Sequence, residues 1–356
     1  MSRLQSLDAF RGLTIALMIL VNTPGDGRFV YPPLRHAEWH GWTITDCVFP
    51  SFVWIVGVAI TLSLGRKLDQ PRAALYRDIL RRAAILFGLG VFLYALPTFP
   101  LDTFRILGVL QRIAICYAAA ALLFLHTTMR GQIAVTGALL AGYWAIMAFV
   151  PAPGFAAGDL SVEGNIAHYV DKIVLGAHNY GETKTWDPEG IVSTLPAIAT
   201  CLLGVVAGHV LRESNDVGGR VKKLLAIGAV LTVAGLALDP VLPVNKKLWT
   251  SSFTLLMAGF DFLVFGAMLW LIDGRGVARP FRPAILMGMN AIALYLASEF
   301  IEIFLHAMHW KKAIYEAVFA PLAAPVNASL LYALAYVALH LGIAWGLDRR
   351  KLYLRV

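Results

Sequence analysis

Charge is scarce in this chain, and so are cysteine and any polar stretch long enough to serve as a linker. Asp, Glu, Lys and Arg make up only 15% of the 356 residues, against roughly 25% in ordinary soluble domains. With 58% hydrophobic residues and a mean hydropathy of +0.68, this scarcity excludes a disordered chain, a nucleic-acid module and an ordinary soluble enzyme. The three cysteines, Cys47, Cys116 and Cys201, all sit in apolar runs without a C-x-x-C pair. A disulfide framework is therefore excluded, and they read as small core residues. No repeat, low-complexity tract or linker interrupts the sequence, so a single domain over residues 1–356 is expected.

What the chain has instead is ten apolar stretches: Leu13–Val21, Asp46–Leu64, Ala83–Leu96, Val109–Leu125, Ile133–Val150, Ile191–Leu211, Leu224–Leu238, Ser251–Ile272, Ala284–Leu305 and Ala328–Leu347. At roughly 20 residues per span, they predict an all-α, polytopic membrane helix bundle of about ten transmembrane helices, with no room for a soluble domain. The first stretch is short enough to be a signal-peptide core. Asp8 in the would-be basic region and Asn22–Gly25 in place of a cleavage site argue for a retained helix starting near Leu4.

An even number of spans puts both termini on one side. With the termini inside, the inner segments carry 20 of the 30 Lys and Arg residues and the outer segments 9, with Arg112 within a span. That asymmetry is the positive-inside pattern and makes both termini cytoplasmic. It also explains the net charge of +8 without nucleic acid. The outer segments are longer than connecting two helices requires, and they carry Trp39, Trp42, Trp186, Trp249 and Trp310. Function is expected to gather at that end.

An ionisable side chain in hydrocarbon costs at least about 2.5 kcal/mol, which makes each one a functional candidate. Here these are Asp46, Arg112, Asp261, Glu299 and Glu302, with Asn22, Gln111, Asn290, Tyr295 and Ser298 as neutral companions. The competing reading places Asp46 and Glu302 in water at span ends and pairs Arg112 with an internal acid. Among nine histidines, His126, His209 and His340 fit structural roles. His36, His40, His168, His178, His306 and His309 fall in outer loops. His36 with His40, and His306 with His309, are spaced to share a helical face, which would suit a metal. No tight signature such as H-E-x-x-H accompanies them, so no metal is expected. A histidine acting as base or nucleophile is the alternative, and spacing does not choose which.

Seven blocks in order carry a resemblance: Arg3–Thr14, Met18–Asn22, Leu34–Pro50, Arg105–Arg112, Trp186–Gly190, Pro243–Trp249 and Gly288–Tyr295. Together they resemble the heparan-α-glucosaminide N-acetyltransferase family. The resemblance implies a multi-spanning enzyme that moves an acetyl group from cytosolic acetyl-CoA to an amino sugar of the glucosamine type across the membrane. It further implies a bacterial-type member without the lumenal domain, in the inner membrane, as a homodimer in the lipid bilayer. His36 becomes the active-site histidine by the same resemblance, with Asn22 and Asp46 at matching positions beside it. Where the lysosomal relative carries Asn, this chain has His40.

On this basis His36 is expected to deprotonate the acceptor amine and Asp46 to orient its ring, while Asn22 donates to the thioester carbonyl or holds the acceptor. An acetyl-histidine intermediate stays open. The CoA nucleotide is expected on the basic cytoplasmic face and its arm in a channel lined by Arg112, Asn290, Tyr295 and Ser298. Asn290 and Tyr295 are included because a resembling block covers them. The other two are included because buried polar groups need partners. The rival functions are a transporter of amino sugars or N-acetylglucosamine and a structural scaffold. Two matching halves, common in transporters, do not align here.

Overall fold

In the computed structural model, residues 4–100, 102–213 and 216–354 are described. Arg3 and Arg355, counted above among the inner basic residues, lie outside the described residues. In chain order the helices are α1 (Gln5–Asn22), α2 (Ile44–Leu64), α3 (Arg72–Ala95), α4 (Val109–His126), α5 (Met129–Phe149), α6 (Ile166–Leu175), α7 (Thr194–Glu213), α8 (Val217–Leu238), α9 (Ser251–Met268), α10 (Arg282–Met289), α11 (Ala291–Ala307), α12 (Trp310–Ile314) and α13 (Pro325–Arg349). Among the described residues there is no strand; one isolated bridge joins Gly41 and Asn245. The chain is an all-helical polytopic membrane protein.

Each of the ten predicted stretches falls on helix. Among the described residues, seven helices are long and apolar enough to span: α2, α4, α5, α7, α8, α9 with its π-helical extension to Gly274, and α13. The bent pair α10–α11, turning by 70°, makes an eighth when counted as one span. The other two stretches lie in α1 and α3, helices of 18 and 24 residues. The first half of α3 is charged, with Arg72, Arg77, Asp78, Arg81 and Arg82, and α1 carries Asp8 and Arg11 with Gln5 and Asn22 at its ends.

By contacts the chain forms two compact units, Met1–Ala37 with Thr43–Val48 and Ala267–Val356, and Glu38–Trp42 with Phe49–Gly266. In the first, α1 packs on α10 with almost no side chain between them. A Cβ on Gly12 would stand 1.7 Å from the Ala284 carbonyl oxygen, and one on Gly288 1.8 Å from that of Asp8. Small residues at such crossings let helix backbones approach within a bilayer, where dispersion contacts rather than water drive association. In the second unit, Gly57 of α2 and Gly204 of α7 meet in the same way, each against the other helix's carbonyls. Trp54 fills the neighbouring space between Phe262 and Phe265 of α9.

Candidate functional site

In the first unit the local sequence Thr43-Ile-Thr-Asp46 opens α2, with Asp46 in its first turn. The Asp46 side chain turns back to accept the Thr43 backbone N–H at Oδ2, at 3.0 Å, which fixes the helix start and anchors the carboxylate. A helix N-terminus also favours negative charge there. The same Oδ2 accepts the Ala37 N–H at 3.0 Å, while Oδ1 lies 2.6 Å from His36 Nδ1. Asp46 is 1% exposed, whereas the His36 side chain is 47% exposed. A buried, multiply bonded carboxylate thus orients a ring that faces accessible space, and the reading of Asp46 as a water-exposed span end does not hold.

Asn22 is the last residue of α1; it is exposed and lines a cavity of about 950 Å³. Asn290 sits at the break between α10 and α11, 1% exposed. Its Oδ1 accepts the Leu354 N–H at 3.2 Å, and its Nδ2 has no hydrogen-bond partner among the described residues. Tyr295 and Ser298 are buried on α11. The Ser298 hydroxyl donates to the Tyr295 carbonyl at 2.8 Å, and Tyr336 donates to the Ser298 carbonyl at 2.9 Å. His36 and His40 do not share a helical face, because residues 35–43 form loop rather than helix.

Arg112 belongs to the second unit, where it is fully buried in the first turn of α4. Its Nη2 donates to the Gly190 carbonyl at 2.9 Å and to Ser193 Oγ at 2.5 Å, and its guanidinium lies 5.1 Å from the Trp249 ring centre. The partners are thus a carbonyl, a hydroxyl and an indole face. Arg112 Nε and Nη1, and both amide atoms of the adjacent Gln111, are buried without hydrogen-bond partners among the described residues. Buried polar groups left unmatched are costly, so a ligand that pairs them gains that energy.

Around Arg112 the second unit holds a polar assembly that sequence spacing did not reveal. Arg105 donates to both oxygens of Asp187, at 2.8 and 2.6 Å, and to Glu189, although 82 residues separate Arg105 from Asp187. Tyr94 and Tyr180 flank the guanidinium at 4.9 and 4.5 Å. Burial alone would lower the Arg105 pKa, but the hydrogen bonds to Asp187 and the charge of Glu189 outweigh it and hold the pKa above its ordinary value. Asp171 of α6 accepts the Ile191 and Asp187 N–H groups at 2.9 and 3.3 Å. Burial pushes its pKa up to about 6. The only sequence signal for this cluster was that Arg105, Asp187 and Glu189 fall inside two of the resembling blocks.

His168 of α6 stacks on Trp186 at 4.0 Å and 6°, with Trp39 edge-on at 5.5 Å. Its Nδ1 lies 2.7 Å from the Val162 carbonyl, so Nδ1 carries the proton it donates, and burial pushes the ring's pKa down to about 4. A histidine whose folded pKa lies below its ordinary 6.5 contributes stability that is present above pH 6.5 and lost as pH falls towards 4. The displacement corresponds to about 3 kcal/mol. Thermal unfolding in detergent is therefore expected to show a stability loss of that order between pH 7 and 4.5. His168→Phe, which keeps the stack and cannot titrate, should flatten the profile; an unchanged slope in that variant would assign the acid sensitivity elsewhere.

Residues 3–238 match the family described as "Heparan-alpha-glucosaminide N-acetyltransferase, catalytic". The chain belongs to this family. Relatives include the heparan-alpha-glucosaminide N-acetyltransferases of Mus musculus, 28% identical over 412 residues with 100% of this chain and 61% of the mouse protein covered, and of Homo sapiens, 30% identical over 359 residues with 84% and 53% covered. The chain therefore spans little more than half the length of the curated relatives it matches. Within this acetyltransferase family member, the blocks carrying Asn22, His36, Asp46, Arg105, Arg112 and Trp186–Gly190 fall inside the matched region. The Pro243–Trp249 and Gly288–Tyr295 blocks lie beyond residue 238.

Proposed function

We propose that the chain is a membrane acetyltransferase that transfers an acetyl group from acetyl-CoA to the amine of a glucosamine-type amino sugar. The observation that carries the reading is the His36–Asp46 pair, an accessible imidazole held through Nδ1 by a buried carboxylate inside a family of N-acetyltransferases. With Nδ1 engaged, proton transfer falls to Nε2.

The acceptor reacts as the free amine, its ammonium proton having first gone to solvent. Its nitrogen attacks the thioester carbonyl carbon that acetyl-CoA supplies, and the negative charge goes to the carbonyl oxygen. His36 Nε2 takes the proton that the nitrogen loses, and Asp46 stabilises the imidazolium that forms. When the C–S bond breaks, that proton passes from His36 to the departing thiolate, so the histidine is regenerated and the products are an amide and a thiol. Asn22 is assigned to the developing oxyanion or to the acceptor. Asn290, Tyr295 and Ser298 are assigned to the donor's arm, supported by the unmatched Asn290 Nδ2; Arg112, in the other unit, is assigned to the donor separately, on its own unmatched Nε and Nη1.

The 20 to 9 division of basic residues supports a cytoplasmic donor side and an outer acceptor side; a bacterial inner membrane and a homodimer are carried by the family resemblance alone. Purified protein in liposomes, given acetyl-CoA inside and glucosamine outside, is expected to form N-acetylglucosamine. Counterflow of labelled N-acetylglucosamine without acetyl-CoA, and no acetylation, would overturn this in favour of a transporter.

A further inference from the structure

The roles above leave the acceptor without a binding carboxylate. In the unit that carries His36, Asn22, the Pro24–Phe29 turn, the end of α11 and the segment from Lys311 to Pro325 line a cavity of about 950 Å³, near the top of the roughly 300–1,000 Å³ usual for small-molecule sites. Asn22, one of the three residues assigned to the chemistry, forms part of its wall. The cavity is therefore continuous with a residue of the proposed reaction centre.

Its charges are balanced. Arg28 pairs with Asp26 at 2.7 Å, and Lys312 with Glu316 at 3.8 Å. Lys311, 13% exposed, pairs with Glu302, 19% exposed. Apart from His306 and His309 these are all the ionisable lysine, arginine and carboxylate side chains of the lining, so every such cation already has a carboxylate. A polyanion would find no cation surplus to offset its desolvation. Glu302 is uneven in its bonding. Oε1 takes Lys311 and lies 3.3 Å from His306 Nε2, while Oε2 is buried without a hydrogen-bond partner among the described residues. A carboxylate oxygen held away from water and lacking a donor is the natural receiver of an ammonium group.

We propose that this cavity is the acceptor subsite and that the Glu302 carboxylate, turning its unmatched Oε2 into the cavity, binds the protonated amine of a small, unsulfated amino sugar. The inference rests on the acetyltransferase reading and narrows its acceptor to a class that is cationic or neutral overall, instead of a sulfated polysaccharide. Glu302 concentrates and positions the acceptor as its ammonium form; the amine then gives its ammonium proton to solvent, and His36 takes the proton lost on attack.

Two measurements test this. In steady-state acetylation by the unaltered protein, kcat/KM for glucosamine is expected to exceed that for a sulfated glucosaminyl oligosaccharide at least tenfold. Glu302→Gln should raise KM for glucosamine about tenfold or more with kcat within a few-fold, leave KM for acetyl-CoA unchanged, and be partly rescued by Glu302→Asp. A preference for the sulfated acceptor, or an unchanged glucosamine KM in Glu302→Gln, would overturn the subsite. Calorimetric titration of glucosamine into the same proteins separates the two levels of the argument. Binding that depends on Glu302 without any acetyl transfer would sink the activity and keep the subsite, whereas turnover with binding indifferent to Glu302 would do the reverse.

Discussion

Replacing His36 with Ala is expected to lower kcat for acetyl transfer about 10²- to 10⁴-fold, the range supplied by a positioned general base. The fold should survive, because the His36 side chain is 47% exposed and Asp46 keeps the Ala37 and Thr43 backbone donors that anchor it at the start of α2. Thermal stabilisation by CoA should also persist, which separates lost chemistry from lost binding. Asp46→Asn is expected to fall between wild type and His36→Ala. The amide at position 46 cannot accept at both terminal atoms, so either the imidazole or the Ala37 and Thr43 donors lose a partner, and the ring loses its fixed tautomer.

Added imidazole offers a further discrimination: it should restore part of the activity of His36→Ala by occupying the vacated space, and none of that of Asp46→Asn, where the native ring still fills it. Undiminished turnover in His36→Ala would remove the residue from the mechanism. The covalent route is distinguished by incubation with radiolabelled acetyl-CoA and no acceptor. Protein-bound label trapped as an acyl-imidazole in wild type, and absent in His36→Ala, would make the histidine the nucleophile instead of the base.

How much of this was legible before the structure depends on the range over which each feature is encoded. The membrane helices are local, and composition alone places all ten apolar stretches on helix. The 70° bend between α10 and α11 is not local in the same way. Residues 284–305 read as one apolar run, and the break at Asn290 is accompanied by a bond from its side chain to the backbone of Leu354, 64 residues away.

The spacing of His36 and His40 suggested a shared face only on the assumption of a helix, and the Gly41–Asn245 bridge and the Gly41 N–H bond to the Val244 carbonyl show the segment committed to a non-local partner instead. Asp46 was noticed as a charge near a span. Its anchoring at the helix start comes from a local bond to the Thr43 N–H, while the His36 and Ala37 partners ten and nine residues away are not stated by any local pattern. The Arg105 cluster was beyond reach, since nothing in two segments 82 residues apart states that they meet. Only the resembling blocks hinted that both mattered.

That cluster carries the largest expected effect on stability. Arg105→Met should destabilise the protein by about 3–5 kcal/mol, because breaking a buried ion pair leaves an uncompensated charge in a poorly solvated place, here two carboxylates at once. Asp187 and Glu189 are both buried, and each is tied into the same short segment as Arg112. The Glu189 N–H bonds Asp187 at 2.8 Å, the Gly190 carbonyl receives Arg112, and Asp171 receives the Asp187 and Ile191 N–H groups. Losing Arg105 therefore loosens the carbonyl on which Arg112 rests.

The pH dependence follows from the sign of the change. Without the guanidinium the folded-state pKa values of Asp187 and Glu189 rise above those of the unfolded chain, and a carboxyl raised in this way favours the folded state at low pH and loses that contribution as pH rises. The deficit of Arg105→Met, measured by thermal unfolding in detergent, should thus be smaller at pH 5 than at pH 8. Adding Asp187→Asn and Glu189→Gln should recover much of it, since neutral partners carry no uncompensated charge. A single variant as stable as wild type at pH 8 would show that the cluster does not hold the segment. A triple variant no better than the single one would assign the loss to the packing of Arg105 against Tyr94 and Tyr180 instead of to its charge.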